Sequence, residues 1–139
     1  MKIKFPYRIT GFILSLLCLN ISISFATSKD TLFASALYPY GRYAKGAQGD
    51  LEMISSAVHF GFRFEGTACS LYVSIPDPSA HNYLQYTLDG VYQKRIRIAG
   101  NSPMPWILNR LANGKHTIWI YKATEAATGP VFIEKIIAK

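Results

Sequence analysis

The stretch His116 to Lys122 constrains this chain more than any other. Thr117, Trp119 and Tyr121 fall on one side of a period-two pattern, Ile118 and Ile120 on the other. Period two is the geometry of a strand, whose successive side chains leave opposite faces. Neither side is plainly polar, so the pattern predicts a strand covered on both faces, as in the middle of a two-sheet protein. Asn113-Gly114 ahead of it is a turn signal. Lys122 and Glu125 follow at its exit and are expected to pair across the bend.

The same alternation recurs through the chain. In Ala57 to Gly66, Val58, Phe60, Phe62 and Phe64 line one face against His59, Gly61, Arg63 and Glu65. Burying three phenylalanines contributes on the order of 2 kcal/mol each by transfer alone. Ala68 to Ile75 is a second core strand, with Cys69, Leu71, Val73 and Ile75 alternating. Thr31 to Ala36 reads as a short strand and Leu51 to Ser56 as strand or loop. Tyr38 to Tyr43, Lys45 to Asp50, Pro76 to Asn82 and Ala99 to Pro105 are loops by their Pro, Gly and Asn content. Trp106 to Leu111 is apolar and leads into the central strand. Val131 to Ile137 is the last strand, with Val131, Ile133 and Ile137 opposed to Phe132, Glu134 and Ile136.

Tyr83 to Leu88 and Val91 to Ile98 flank Asp89-Gly90, a hairpin signal. A two-residue turn pairs Leu88 with Val91 and mixes Leu84 and Tyr86 with Gln93 and Arg95. A three-residue loop, with Thr87 opposite Val91, gathers Leu84, Tyr86, Tyr92, Lys94, Ile96 and Ile98 on one face. Because a one-residue slip turns a whole strand over, burial selects the second register, with Gly90 as a left-handed bulge. Seven or eight short strands and no long helix predict an all-β fold, an antiparallel two-sheet jelly-roll or β-sandwich.

Residues 1–26 read as a signal peptide: a basic start at Lys2, Lys4 and Arg8, an apolar run, and a small-x-small site at Ser24-Phe25-Ala26. The run is too short and too polar for a retained anchor, which predicts no stable membrane span after cleavage. The expected location is secreted or periplasmic. Removing 26 of 139 residues leaves 113, one domain spanning 27–139. Taking Lys2, Lys4 and Arg8 from the 15 cations leaves 12 against 8 acids, a net of +4. That balance is too slight to argue for a nucleic-acid partner. Cys18 leaves with the leader, so Cys69 stands alone and reads as a buried structural thiol.

No reactive framework can be assembled from the sequence. There is no Gly-x-Ser-x-Gly elbow, and Gly49-Asp50 is followed by Leu51 rather than serine. Asp77 and His81 lie four apart in one loop, but no activated serine can be assigned to them. His59, His81 and His116 lack metal-ligand spacing, and the acids are scattered. No catalytic residue, metal ligand or cofactor site is therefore assigned. What remains is aromatic surface: Tyr40, Tyr43, Tyr83, Trp106 and Tyr121 are the candidates for presenting flat faces to sugar rings.

A set of short blocks then carries a family resemblance. They are Gly41-Arg42, Phe62 to Thr67, Tyr86 to Gly90, Leu111 to Thr117 and Lys122 to Ala126, followed by Gly129 and Phe132. In order and spacing this resembles the N-terminal domain of carbohydrate esterase family 2, over nearly all of Tyr40 to Ile137. The resemblance implies a jelly-roll sandwich that precedes an SGNH-hydrolase domain in enzymes similar to acetylxylan esterases, acting on polysaccharides such as xylan and glucomannan. Ala123 departs from the family, which often has arginine there. The Gly-Asp-Ser block and the C-terminal histidine of the catalytic domain have no matching positions, so no catalytic residue carries over. The chain thus resembles the accessory domain alone, from a truncated gene, a fragment or a free-standing relative. The implied partners are an SGNH esterase domain, met through Arg42, Lys122 and Glu125, or polysaccharide. An exposed apolar face is expected near Lys122, Glu125 and the C-terminus.

Overall fold

Short alternating segments separated by Gly- and Pro-rich turns can bury one face each only by stacking as sheets. The computed structural model, which describes residues 30–100 and 105–139, shows that arrangement. The expected leader at 1–26 and most of the loop before Pro105 lie outside the described residues. Eleven strands are described: β1 (Thr31–Phe33), β2 (Tyr43–Lys45), β3 (Leu51–Met53), β4 (His59–Gly66), β5 (Cys69–Ser74), β6 (His81–Leu88), β7 (Val91–Tyr92), β8 (Ile96–Ala99), β9 (Trp106–Leu108), β10 (Gly114–Lys122) and β11 (Val131–Ala138). They form two antiparallel sheets packed as a β-sandwich. The first runs β2-β3-β11-β5-β9, with β1 also on β11. The second runs β4-β10-β6-β7, with β8 also on β6.

The core lies between the sheets. Phe60 and Phe62 of β4, Leu84 of β6 and Ile118 and Ile120 of β10 meet Leu71 and Val73 of β5 and Val131, Ile133 and Ile136 of β11. Cys69 belongs to the same core, fully buried, and burial pushes its thiol pKa up to about 12.

Four expectations are corrected. First, β10 is central within its sheet but covered on one side only. Ile118 and Ile120 are fully buried, whereas Thr117, Trp119 and Tyr121 are half-buried on the outer face. Second, the hairpin uses the two-residue turn: Leu88 pairs with Val91, and both Asp89 (φ +50°) and Gly90 (φ +82°) are left-handed. The burial argument is met elsewhere. Thr87 pairs with Tyr92 but Leu84 pairs with Ile96, so Gln93 to Arg95 contain one residue more than the strand they face. This bulge restores Leu84, Ile96 and Ile98 to the core and leaves Tyr92 in solvent. Gln85 Nε2 donates to the Gln93 carbonyl across it (2.6 Å).

Third, β11 changes phase. Its pairing with β5 slips by one between Ile133 and Lys135. Ile136 therefore points into the core with Val131 and Ile133, and Ile137 points away from it. Fourth, the first strand ends at Phe33 and Ala34–Ala36 form a 3₁₀ turn, while Tyr43–Lys45 and Trp106–Leu108 form edge strands of the first sheet.

Candidate functional site

Strand pairing writes the outer face of the second sheet directly. His59 of β4 lies opposite Tyr121 of β10, which lies opposite Gln85 of β6. One step along, Gly61 faces Trp119, which faces Thr87. Arg63 then faces Thr117. Tyr40 enters from the preceding loop through an isolated bridge, its N–H donating to the His59 carbonyl (2.8 Å) and the His59 N–H donating back (3.1 Å).

The four rings form one platform. His59 stacks between Tyr40 (centroids 5.2 Å apart) and Tyr121 (5.0 Å). Trp119 tilts against His59 at 5.9 Å and Tyr40 at 6.4 Å. His59 Nδ1 lies 2.8 Å from the Ala57 carbonyl, which can only accept, so Nδ1 carries the proton and fixes the ring's orientation. Gly61 lets the indole lie across the sheet, because a Cβ there would stand 2.8 Å from Trp119 Cδ2 and Cε2. A shallow cleft of about 170 Å³ opens beside it, lined by Gly61, Phe62, Arg63, Thr117 and Trp119.

The structure brings only some of the sequence candidates together. Tyr40 and Tyr121 are on the platform. Tyr83 stands on the same strand as Gln85, two residues further along, and meets His81 edge-on (5.4 Å, 87°). Tyr43 sits on the edge strand of the other sheet. Trp106, also in that sheet, packs edge-to-face on Tyr86 (4.8 Å, 66°) against the core. Sequence reasoning missed Trp119 and His59. The usable signal for Trp119 was its place two residues before Tyr121 on one strand face.

Lys122 is not a surface residue. It is 1 % exposed, and its Nζ donates to the carbonyls of Thr124 (3.0 Å) and Glu125 (2.7 Å), so the expected ion pair with the Glu125 carboxylate is replaced by bonds to backbone. Burial holds the Lys122 pKa below its usual value. Buried Asn82 secures the same bend: its Oδ1 accepts from the Thr124 and Thr128 hydroxyls, and its Nδ2 donates to the Thr128 carbonyl. Arg42 and Glu125 are exposed. The large apolar side chains most exposed among the described residues are Phe33, Tyr38, Tyr40, Tyr43, Val91, Tyr92 and Ile107, so the bend from Lys122 to Glu125 contributes none.

At the other end of β10, Asp89 clamps the hairpin turn. Its Oδ1 accepts from the Thr117 N–H (2.8 Å) and its Oδ2 from His116 Nδ1 (2.8 Å). His116 Nε2 meets the Ala112 carbonyl (2.9 Å). Both ring nitrogens face acceptors, so the full set requires the imidazolium. The hydrogen bond to Asp89 raises the His116 pKa, and the same bond lowers that of Asp89. Asp77 accepts from the Ser79 N–H (2.8 Å) and Oγ (2.7 Å), a local turn bond, and bonding to that hydroxyl is the main cause of its lowered pKa. Among the described residues no three His, Cys, Asp or Glu side chains converge on a common point. Nor does any described helix have the length and apolarity to cross a membrane.

Comparison with known proteins agrees with this architecture. No curated protein matches the chain in sequence. Among solved structures, a family two carbohydrate esterase from Cellvibrio japonicus superposes with a TM-score of 0.64 at 15 % identity, covering 80 % of this chain and 33 % of that one. A family two carbohydrate esterase from Clostridium thermocellum, solved with cellohexaose, gives 0.57 at 20 % identity, covering 77 % and 30 %. The carbohydrate-binding module CBM36, solved with calcium and xylotriose, gives 0.62 at 13 % identity, covering 78 % of this chain and 99 % of the module. The chain thus spans about a third of the esterases and nearly the whole of the module. A family model described as "Carbohydrate esterase 2 N-terminal" matches residues 40–139, from the platform's first tyrosine to the end of the last strand and beyond it. The chain belongs to the carbohydrate esterase 2 N-terminal family.

Proposed function

We propose that this chain is a non-catalytic accessory domain of an exported carbohydrate-esterase system, holding or orienting a deacetylase on acetylated polysaccharide such as acetylxylan or acetyl-glucomannan. The observation that carries the reading is the family match over 40–139, which coincides with the sandwich and its aromatic outer face. The internal use of the polar groups supports the non-catalytic part. Both nitrogens of His116 are bonded, and Asp77 is tied to its own loop. Export is supported by the basic start and apolar run of residues 1–26. A second reading, a free-standing carbohydrate-binding module, is favoured by the match to CBM36 over 99 % of that module.

The test adds the purified chain to a separately purified family two esterase domain. Acetate release from acetylated xylan should rise, while hydrolysis of p-nitrophenyl acetate should not change. The chain alone should release no acetate above buffer. Acetate release by the chain alone refutes the non-catalytic role, and binding to xylan without any effect on the esterase favours the free-standing module.

A further inference from the structure

The platform on the outer face of the second sheet has a chemistry that selects its occupant. Tyr40, His59, Trp119 and Tyr121 each join a flat ring to a hydrogen-bonding edge, and none of the four is phenylalanine. Both aliphatic side chains of β10, Ile118 and Ile120, are turned into the core. The face therefore offers apolar planes with polar rims and no aliphatic floor. A pyranose with equatorial substituents is the complement: axial C–H groups make an apolar face, and hydroxyls ring its edge. At the far end of the β4–β10 pair, Glu65 lies opposite Lys115, one step beyond Arg63 and Thr117. The exposed cations Lys94, Arg95 and Arg97 lie in and after the bulge that leads into β8, with Arg97 opposite Tyr83, so β6 separates this basic run from the rings of β4 and β10.

The seat is built rather than incidental. Gly61 leaves the space in which Trp119 lies, the Tyr40 bridge fixes one tyrosine against His59, and the Ala57 carbonyl fixes His59 itself. With Nδ1 committed to the Ala57 carbonyl, Nε2 is the ring nitrogen left to meet a sugar hydroxyl. The cleft bounded by Arg63, Thr117 and Trp119 extends the rings with polar side chains.

We propose that this platform binds an uncharged polysaccharide of equatorially substituted pyranoses, with Trp119 and Tyr40 as stacking surfaces and His59 as a hydroxyl partner. The proposal rests on the accessory-domain reading and names the face through which that domain meets its glycan.

The test is a tryptophan-fluorescence titration of the full chain carrying Trp106→Phe, so that Trp119 is the sole reporter within residues 27–139. Xylohexaose, cellohexaose and mannohexaose are the probes. At least one should change Trp119 emission saturably. Tyr40→Ala and Tyr121→Ala should lower the association constant roughly tenfold or more, about 1.4 kcal/mol. Tyr92→Ala, exposed at the hairpin tip, should leave it unchanged. Circular dichroism and melting establish that each variant is folded. Binding that survives both Tyr40→Ala and Trp119→Ala, read by calorimetry, overturns the platform but leaves the accessory reading intact. Absence of binding to every probe overturns it as well. If Trp119→Ala then also abolishes stimulation of the esterase domain, the face contacts protein and the accessory reading stands. If neither glycan binding nor stimulation is found, both readings fall.

Discussion

Gly61→Ala tests whether the platform is shaped by the strand beneath it. The added Cβ would stand 2.8 Å from Trp119 Cδ2 and Cε2 and 3.0 Å from Cε3. Ordinary contact begins near 3.4 Å, so one partner must move by roughly half an ångström or more. The β4 backbone cannot yield, because it is paired with β10 from Gly66 to His59. The half-buried indole can, because it lies on the outer face. Overpacking in a closed core costs about 1–3 kcal/mol. Here rotation of Trp119 relieves most of it, and alanine recovers about 0.5–1 kcal/mol of the entropy that glycine loses in a strand. The expected net change is within about 1 kcal/mol, a Tm shift of no more than roughly 4–8 °C. The Trp119 signal in the Trp106→Phe background should change clearly by near-ultraviolet circular dichroism and emission maximum. A loss above about 3 kcal/mol with an unchanged Trp119 signal would refute the reasoning, since the indole would then be locked. Unchanged stability and an unchanged signal would refute it equally, since alanine would then fit without displacing anything.

Other perturbations address the rest of the fold. Lys122→Met keeps the buried stem but leaves the Thr124 carbonyl without its donor, while the Glu125 carbonyl keeps the Thr128 N–H (3.3 Å). One orphaned carbonyl, offset by removal of a desolvated ammonium, gives a loss of about 1–2 kcal/mol by urea denaturation, and Lys122→Ala should cost at least twice that by adding a cavity. The Asp89–His116 pair predicts a pH window for stability. Asp89, its pKa lowered chiefly by the bond from His116, stabilises above the usual carboxylate value near 4 and loses that contribution as pH falls through its folded value. His116, its pKa raised chiefly by the bond to Asp89, contributes fully below about 6.5 and loses that contribution as pH rises through its folded value. The stability difference between the native chain and His116→Gln should therefore be largest between about pH 4 and 6.5; a flat difference across that range refutes the clamp. Phe60→Ala empties a fully buried site and should cost about 3–5 kcal/mol, measured by the shift of the urea midpoint at constant slope.

Periodicity reports a strand only while its phase is unbroken, and that decides where reading the residues succeeded. β4, β5 and β10 alternate without interruption, and their core faces, with Phe60, Leu71 and Ile118, are where the pattern puts them. In β11 and after β7 one extra residue reverses the phase, and Ile137 and Tyr92 leave the faces that counting assigns to them. A bulge leaves little mark on composition, because its position is set by the twist and pairing of the neighbouring strand.

The sequence by itself determined the fold class and the family. Alternation, turn residues and the ordered blocks from Gly41 to Phe132 are local properties that any reader can count. Only the tertiary structure decided which rings form a surface. His59 and Tyr121 meet because β4 and β10 pair in one register, and Trp106 is withdrawn because β9 joins the opposite sheet. Likewise alternation along β10 puts Lys122 on the face of Ile118 and Ile120, but only the bend after it decides that two carbonyls, not a carboxylate, receive its ammonium. The physical reason is that side-chain direction along a strand is fixed by bonded geometry, whereas neighbours across strands are fixed by hydrogen bonding between segments far apart in the chain.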